Sequence, residues 1–326
     1  MRQPFEQLEK EFGDWIENEN TVAVSSGTSA LHLACEVMNQ VHCMGQDASI
    51  IIPEYTMVAC PRAAAMARFK PKFRDCHDNL LMKQEDPQGI PLMAVHVYGR
   101  KDDLTRYFMS NDLVIEDLAE GHGIAPNPYS FAACWSFYRN KIIAGEEGGM
   151  IAFANKENAA LARSLRSLGF GSTQNYSHIP RGINARMSNL HAEPILRSLR
   201  NVKTNLRIRR DMSAQYDTDL PEEWRMPPRD VHWVHDVRIP GLSGTLQDFI
   251  VKECRSRGLE ARHGFKPMSD QEEFRGLRGP IPELNARTLS REIIYLPISE
   301  KMDYSDVTRN ATTFINVCRS FGVHPS

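Results

Sequence analysis

The sequence predicts an α/β protein. A large domain carries helices on both faces of a mostly parallel, mixed sheet, and a smaller C-terminal α+β domain follows. Three observations predict it. Short apolar runs bounded by turn residues recur through the first two-thirds of the chain, with helical segments between them. These runs have few polar interruptions, as strands covered on both faces do. Beyond residue 220 the character changes: Pro221, Pro227 and Pro228 mark a connector, and an alternating strand with two helices comes after it.

Taken in order, strands are expected at 48–53 (ASIIIP), 92–98 (LMAVHVY), 113–117 (LVIED), 131–138 (FAACWSFY) and 149–154 (GMIAFA). Residues 28–40 place Ala30, Leu31, Ala34, Val37 and Met38 on one side of a helix. Residues 157–168 (ENAALARSLRSL) form another, with Gly169 as its C-cap. Residues 189–210 read as a long basic helix; Pro194 falls early in it and suits a first turn, so the helix is expected to begin there. In the last third, 231–239 (VHWVHDVRI) reads as strand, 245–258 (TLQDFIVKECRSRG) as helix, and 304–321 as the final helix. The division is set at 1–205 and 206–326, with the long basic helix running across it.

Composition narrows the function. A chain of 326 residues has room for about two domains and buries a core that needs no disulfide or metal staple. Lys+Arg is 39 and Asp+Glu 41, so the basic surplus of a nucleic-acid binder is missing. No apolar run approaches the ~18–20 residues of a membrane span. The opening MRQPFEQLEKEFGDW has no apolar signal core, so a cytoplasmic location is expected. Seven scattered cysteines without a C-x-x-C pair read as reduced thiols, and eleven histidines without metal-ligand spacing imply no metal.

Three segments could carry chemistry. SSGTSALHLA (25–34) is a small-residue turn opening into a helix, where free amides and the helix dipole suit a phosphate. Gly27 allows close approach and Thr28 adds a hydroxyl; the same pattern also reads as an ordinary N-cap. LVIEDLAEGHG (113–123) ends an apolar strand in Glu116 and Asp117, at the strand end where open α/β sheets bind ligands. CWSFYRNKIIAGEEGG (134–149) carries Lys141 between two apolar strands, after the strand-end hydroxyl of Ser136. Together they meet the needs of a pyridoxal phosphate enzyme: a lysine for the Schiff base, an acid for the pyridine nitrogen, and a phosphate cup from Gly27, Thr28 and Ser136. A nicotinamide-binding Rossmann protein would need the glycine fingerprint, which is absent.

In this order the segments resemble the DegT/StrS-type sugar aminotransferases, a branch of the fold-type I pyridoxal phosphate enzymes. The resemblance runs nearly end to end. SSGTSALHLA is similar to the family's phosphate-cup helix, and GQDASIIIPEYTMVA (45–59) to its G-x-D-x-V-I-x-P strand and turn. AVHVYGR (94–100) resembles the V-H-x-Y-G strand, EDLAEGHG the E-D-x-A-Q-x-x-G acid motif, and WSFYRNK the S-F-x-x-x-K lysine motif. RGINARMSNLHAE (181–193) is similar to the G-x-N-x-R-M-S segment, and GLEARHGFKPMS and YLPIS to the small-domain strands.

The resemblance implies roles. Lys141 would carry the cofactor and shuttle protons, Asp117 would pair with the pyridinium nitrogen, and Gly27, Thr28 and Ser136 would bind phosphate. Asn184 matches the family residue that reaches the phosphate from a neighbouring subunit, implying a homodimer with shared active sites. Three departures stand out. Met57 replaces an aromatic residue stacked on the cofactor ring, and a thioether can still pack there. Glu120 replaces a glutamine; a second carboxylate beside the cofactor would have a raised pKa unless a cation such as Arg139 pairs with it. The stretch 75–91 is shorter than the family's, so a surface helix is expected to be missing.

The implied reaction moves an amino group from glutamate (or glutamine) to a keto sugar. GLEARHGFKPMS most resembles the perosamine-synthase-like subgroup, which aminates a nucleotide-linked 4-keto-6-deoxy hexose. His178, Arg181, Arg186 and His263 are candidate sugar-nucleotide contacts, and each also reads as an ordinary surface or core residue. Two alternatives stay open: a non-transaminase pyridoxal phosphate enzyme of the same fold acting on a modified nucleotide or amino acid, and an inactive binding or regulatory homologue. Sugar 3-dehydratases of the family use histidine where this chain has Lys141.

Overall fold

The structure is a computed structural model, and it describes residues 3–85, 89–110, 113–171, 176–277 and 284–325. In chain order the first part holds α1 (Pro4–Ile16), β1 (Thr21–Val24), α2 (Gly27–Val41), β2 (Ser49–Pro53), α3 (Ala59–Met66), β3 (Lys70–Arg74) and β4 (Leu92–Val95). It continues with α4 (Thr105–Met109), β5 (Val114–Asp117), β6 (Ala132–Ser136), β7 (Gly149–Phe153), α5 (Lys156–Leu165), α6 (Asn189–Arg200) and α7 (Val202–Asp219). The second part holds β8 (His235–Arg238), α8 (Gly244–Ser256), β9 (Arg262–His263), α9 (Asn285–Glu292), β10 (Ile293–Leu296) and α10 (Tyr304–Ser320).

Among the described residues, the seven-stranded sheet has the order β1-β7-β6-β5-β4-β2-β3. Strands β2 to β6 pair in parallel wherever they touch, and β7 runs antiparallel to both β1 and β6. The α/β expectation therefore holds. The expected strands are present, with ends that match or are one or two residues shorter, except that the strand expected at 231–239 is confined to His235–Arg238. The 92–98 run is also shorter than expected: it leaves the sheet at Val95 and turns through a 3₁₀ segment, Val97–Gly99, with Tyr98 at φ 51°. All parallel strands end at one edge of the sheet, so the residues after β1, β4, β5 and β6 gather there.

The long basic helix is two helices. Ser188 caps α6 through the His191 amide, and Pro194 lies inside it, five residues after its start. The amide that proline lacks would have bonded the carbonyl of Leu190, an exposed residue. Asn201 ends α6 at φ −98° and ψ 4° and opens α7. Sequence reading passed over α1, β1, α3 and β3. Phe12 of α1 packs edge-on against Trp135 of β6 and Phe137 just beyond it, 5.1 and 5.5 Å between ring centres. Strand β3 is the edge, which explains its charged pattern (KPKFR) and its proline. Between 75 and 91 no helix occurs among the described residues; 86–88 lie outside them.

A second, antiparallel sheet has the order β8-β10-β9. It shares a core of its own with α8, α10 and the later part of α7, from Met212 to Cys318. Val202, at the start of α7, belongs to the main core instead. Helix α7 thus ties the two cores together. Among the described residues no helix is long and apolar enough to cross a membrane.

Candidate active site

A cavity of about 440 Å³ opens at the carboxyl edge of the large sheet. Gly27, Thr28, Met57, Asp117, Glu120, Ser136 and Lys141 all line it. Sequence positions more than a hundred residues apart meet there because β1, β5 and β6 all end at the same edge of the sheet, with β7 between β1 and β6.

One wall is the start of α2. Ser26 caps it by accepting the Ser29 amide at 3.1 Å. The amides of Gly27 and Thr28 lie in the first turn and have no acceptor within the helix. Gly27 presses on the end of β6: a Cβ there would stand 2.7 Å from Ser136 Cβ. This contact brings the Thr28 and Ser136 hydroxyls and the free amides to one end of the cavity.

The floor is acidic. Asp117 ends β5 and is almost fully buried. Its Oδ1 accepts the Ala119 amide at 2.9 Å, and its Oδ2 accepts the Cys60 thiol at 3.0 Å. Burial, reinforced by the Asp117 charge, pushes the Cys60 thiol well above its usual range, so it stays protonated and can donate. Glu120 follows in the turn after β5. Its Oε2 accepts the Tyr98 amide at 2.8 Å, and burial pushes its carboxyl up to about 7, against the opposing pull of Lys141.

Lys141 sits in the loop between β6 and β7, with its side chain 11% exposed. Its Nζ lies 3.8 Å from Glu120 Oε1 and 3.9 Å from the centre of the Trp233 ring. Burial lowers the amine's pKa, while Glu120 and Asp117 oppose that. The indole of Trp233 donates to the Asn140 carbonyl at 2.9 Å, which fixes the loop from the side of the second sheet. Arg139 is not the cation paired with Glu120. Its guanidinium lies 5.4 Å from the Tyr138 ring centre, and Lys141 takes the place beside the carboxylate.

His96, just beyond β4, also lines the cavity. Its Nδ1 accepts the Asp102 amide at 3.1 Å, so Nε2 carries the proton and donates to Glu116 at 2.9 Å. Glu116 Oε1 in turn accepts the Ser130 hydroxyl at 2.5 Å. The ring is therefore held in one tautomer and one orientation.

The remaining candidates lie away from the cavity of this chain. Asn184 is exposed, in a backbone bridge with Ser167, and Arg186 is exposed, in one with Val24. His178 is exposed and donates from Nδ1 to the Leu168 carbonyl at 2.8 Å. Arg181 pairs with Glu36 at 3.0 Å, and His263 with Asp248 at 2.9 Å. Met57 stands at the cavity, 52% exposed. Sequence reasoning missed Cys60 and Trp233. It also gave no role to Arg262, Phe265 and Tyr295, which line the cavity from the second part. The last three lie in the GLEARHGFKPMS and YLPIS segments.

The cavity fits the cofactor that the sequence implies. It offers unpaired helix amides with two hydroxyls for a phosphate, a buried carboxylate on the floor, and an amine with a lowered pKa. The close Gly27–Ser136 contact leaves no side chain in the way of that phosphate.

Comparison with known proteins agrees. The sequence model of the DegT/DnrJ/EryC1/StrS aminotransferase family matches residues 3–314. A GDP-perosamine synthase of Caulobacter vibrioides is 29% identical over 286 residues, 80% of this chain and 76% of the relative. A dTDP-3-amino-3,4,6-trideoxy-alpha-D-glucose transaminase of Streptomyces venezuelae is 28% identical over 329 residues, 93% of this chain and 84% of the relative. Among solved structures, Helicobacter pylori PseC, an aminotransferase involved in the biosynthesis of pseudoaminic acid, superposes with a TM-score of 0.87 at 16% identity, covering 98% of this chain and 92% of that one. At that identity the superposition establishes the fold.

Proposed function

The chain belongs to the DegT/DnrJ/EryC1/StrS aminotransferase family and is a pyridoxal phosphate-dependent sugar aminotransferase, and from that premise we propose that it moves the amino group of glutamate to a nucleotide-linked 4-keto-6-deoxy hexose. The observation that carries the reading is convergence. The Lys141 amine, the Asp117 carboxylate and the first turn of α2 face one cavity. The sugar rests on the GDP-perosamine synthase relative and on the GLEARHGFKPMS segment.

Pyridoxal phosphate, when bound, supplies an aldehyde that captures amines and a ring that withdraws electrons. The chain supplies the rest. Gly27, Thr28 and Ser136 bind the phosphate, and the dipole of α2 favours its charge. Asp117, held by the Cys60 thiol and the Ala119 amide, keeps the ring nitrogen protonated. Met57, which lines the same cavity, would pack against the ring. Lys141 Nζ would anchor the cofactor and carry a proton to and from the substrate carbon; burial lowers its pKa and so favours the neutral amine. The Trp233 ring, 3.9 Å from that nitrogen, shields it from water.

The proposal extends to a cytoplasmic homodimer in which Asn184 of each subunit completes the partner's phosphate cup. The exposure of Asn184 in the single chain supports this. His178, Arg181, Arg186 and His263 are proposed as sugar-nucleotide contacts on the same shared face. The division at 205/206 is retained, supported by the second core that begins within α7.

An absorbance spectrum before and after glutamate tests the reaction. A band near ~420 nm that moves to ~330 nm on adding glutamate is expected, and Lys141→Ala should lack both the band and turnover. Normal turnover by Lys141→Ala would sink the assignment. Mixing Lys141→Ala with Asn184→Ala subunits should restore part of the activity through hybrid sites; no recovery would count against the shared site.

A further inference from the structure

Lys141 is held on two sides, and the sides differ in kind. The Trp233 ring face, 3.9 Å from Nζ, attracts a cation but holds no proton. Glu120, 3.8 Å away on the other side, can take one. Its two oxygens are already distinguished: Oε2 is engaged by the Tyr98 amide, and Oε1 is the atom turned to Lys141. A glutamine in this place could accept the same amide bond, yet it could not store a proton. The carboxylate is 8% exposed, so bulk water does not readily take over that task.

We propose that Glu120 is the proton-holding partner of Lys141, taking the ammonium proton whenever Lys141 must present a neutral amine. The inference rests on the aminotransferase reading of the site and gives Glu120 a role within it. In the step, an N–H bond of Lys141 breaks and an O–H bond on Glu120 Oε1 forms. An ammonium and a carboxylate become an amine and a carboxylic acid, with no change of oxidation state and no further reagent. The present separation is about 1 Å beyond a hydrogen bond, a gap the four-carbon lysine stem can close; such contacts are often long before substrate arrives.

The surroundings support it. Burial pushes Glu120 up to about 7 and Lys141 down, so their proton affinities converge. Other charged or titratable groups face the pair from every side: Asp117 on β5, Cys60 on α3, His122 in the same turn, Arg209 on α7, Asp236 on β8, and the phenols of Tyr98 and Tyr295. Burial pushes both phenols and the Cys60 thiol up and the His122 imidazole down, so these four stay neutral at pH 7. Lys141 and Glu120, whose proton affinities burial moves toward each other and whose charged atoms stand 3.8 Å apart, then titrate as a pair.

The test is the capture of pyridoxal phosphate by the full chain freed of cofactor, followed as growth of the ~420 nm band across pH. Only the neutral amine captures the aldehyde. The expected wild-type rate profile has two limbs, each rising about tenfold per pH unit, separated by a plateau where the pair shares one proton. Glu120→Gln should show a single limb. Glu120→Asp, which keeps an acid, should regain both and controls for loss of fold. Identical profiles for wild type and Glu120→Gln would overturn the proposal while leaving the aminotransferase reading intact. Failure of every variant and wild type to form the band would instead overturn both.

Discussion

Replacing Gly27 by alanine probes the phosphate cup where its geometry is tightest. The added methyl would stand 2.7 Å from Ser136 Cβ, 3.1 Å from its Oγ and 3.2 Å from its Cα. Carbon atoms rest at about 3.5–4.0 Å from one another, so the first turn of α2 and the end of β6 must separate by about 1 Å. Neither Cα nor Cβ can rotate away, and the strain falls on two backbones. Overpacking of this kind costs about 1–3 kcal/mol. A shift of that size would also pull the Gly27 and Thr28 amides away from the phosphate that we propose they share with Ser136. Losing one charge-assisted hydrogen bond at about 1.5–3 kcal/mol weakens binding roughly ten- to hundredfold. The assay is a titration with pyridoxal phosphate, read at ~420 nm, alongside thermal unfolding of the cofactor-free chain. Gly171→Ala is the control, because a Cβ there meets nothing within 4 Å. A Gly27→Ala protein with lowered thermal stability and unchanged cofactor affinity would refute the phosphate cup. Unchanged values of both would refute the tight contact itself.

Two further outcomes follow from the buried groups around the floor. Cys60→Ala removes the thiol that donates to Asp117 at 3.0 Å and should weaken cofactor retention by about fivefold, near 1 kcal/mol, whereas Cys60→Ser should retain it; equal loss in both would show that the contact does not orient the carboxylate. His122 is buried, its Nδ1 accepts the Ile143 amide at 2.9 Å, and burial, with Lys141 and Arg209 nearby, lowers its pKa to about 3. The unfolded chain binds a proton there below about pH 6.5 and the folded chain does not, so stability is present above that pH and lost as pH falls toward 3. At pH 5 the loss is about 2 kcal/mol relative to pH 7.5. His122→Gln keeps an acceptor and should be less acid-sensitive by that amount in denaturant titrations; an equal acid loss in the variant would refute the assignment.

The sequence made most of the main sheet legible because its central strands are buried on both faces, and continuous apolar runs such as 149–154 leave no competing pattern. It also exposed the strand-end acid Asp117 and the loop lysine, since both follow such runs directly. Strand β3 was missed for the converse reason: an edge strand whose Lys70 and Lys72 are exposed, with a charged Arg74 that is buried against Tyr107, looks like a loop in sequence. Pro194 misled the helix boundary because a proline in a first turn and one in a helix interior with a solvated carbonyl look alike in sequence. Partners across the fold were the least visible. Nothing local to Lys141 points to Trp233, 92 positions on, or selects Lys141 over the nearer-seeming Arg139 as the cation beside Glu120. Cys60 likewise sits in an alanine-rich helix with no sign that its thiol meets Asp117.

The antiparallel placement of β7 has a consequence for how the lysine is carried. Because β7 returns directly beside β6, with Ser136 opposite Gly149, residues 137–148 form an arch whose two feet stand on the same rim. A parallel β7 would have sent the chain to the opposite end of the sheet and back. Both feet also bear on the start of α2: Ser136 against Gly27, and Gly149 so close to the Ser26 carbonyl that a Cβ would lie 2.4 Å from its oxygen. The two ends of the lysine's arch are therefore footed on the same helix turn that forms the cup, while its middle is held from the other side by the bond from Trp233 to Asn140. A substitution at either foot is expected to disturb the cup and the base of the lysine's loop together.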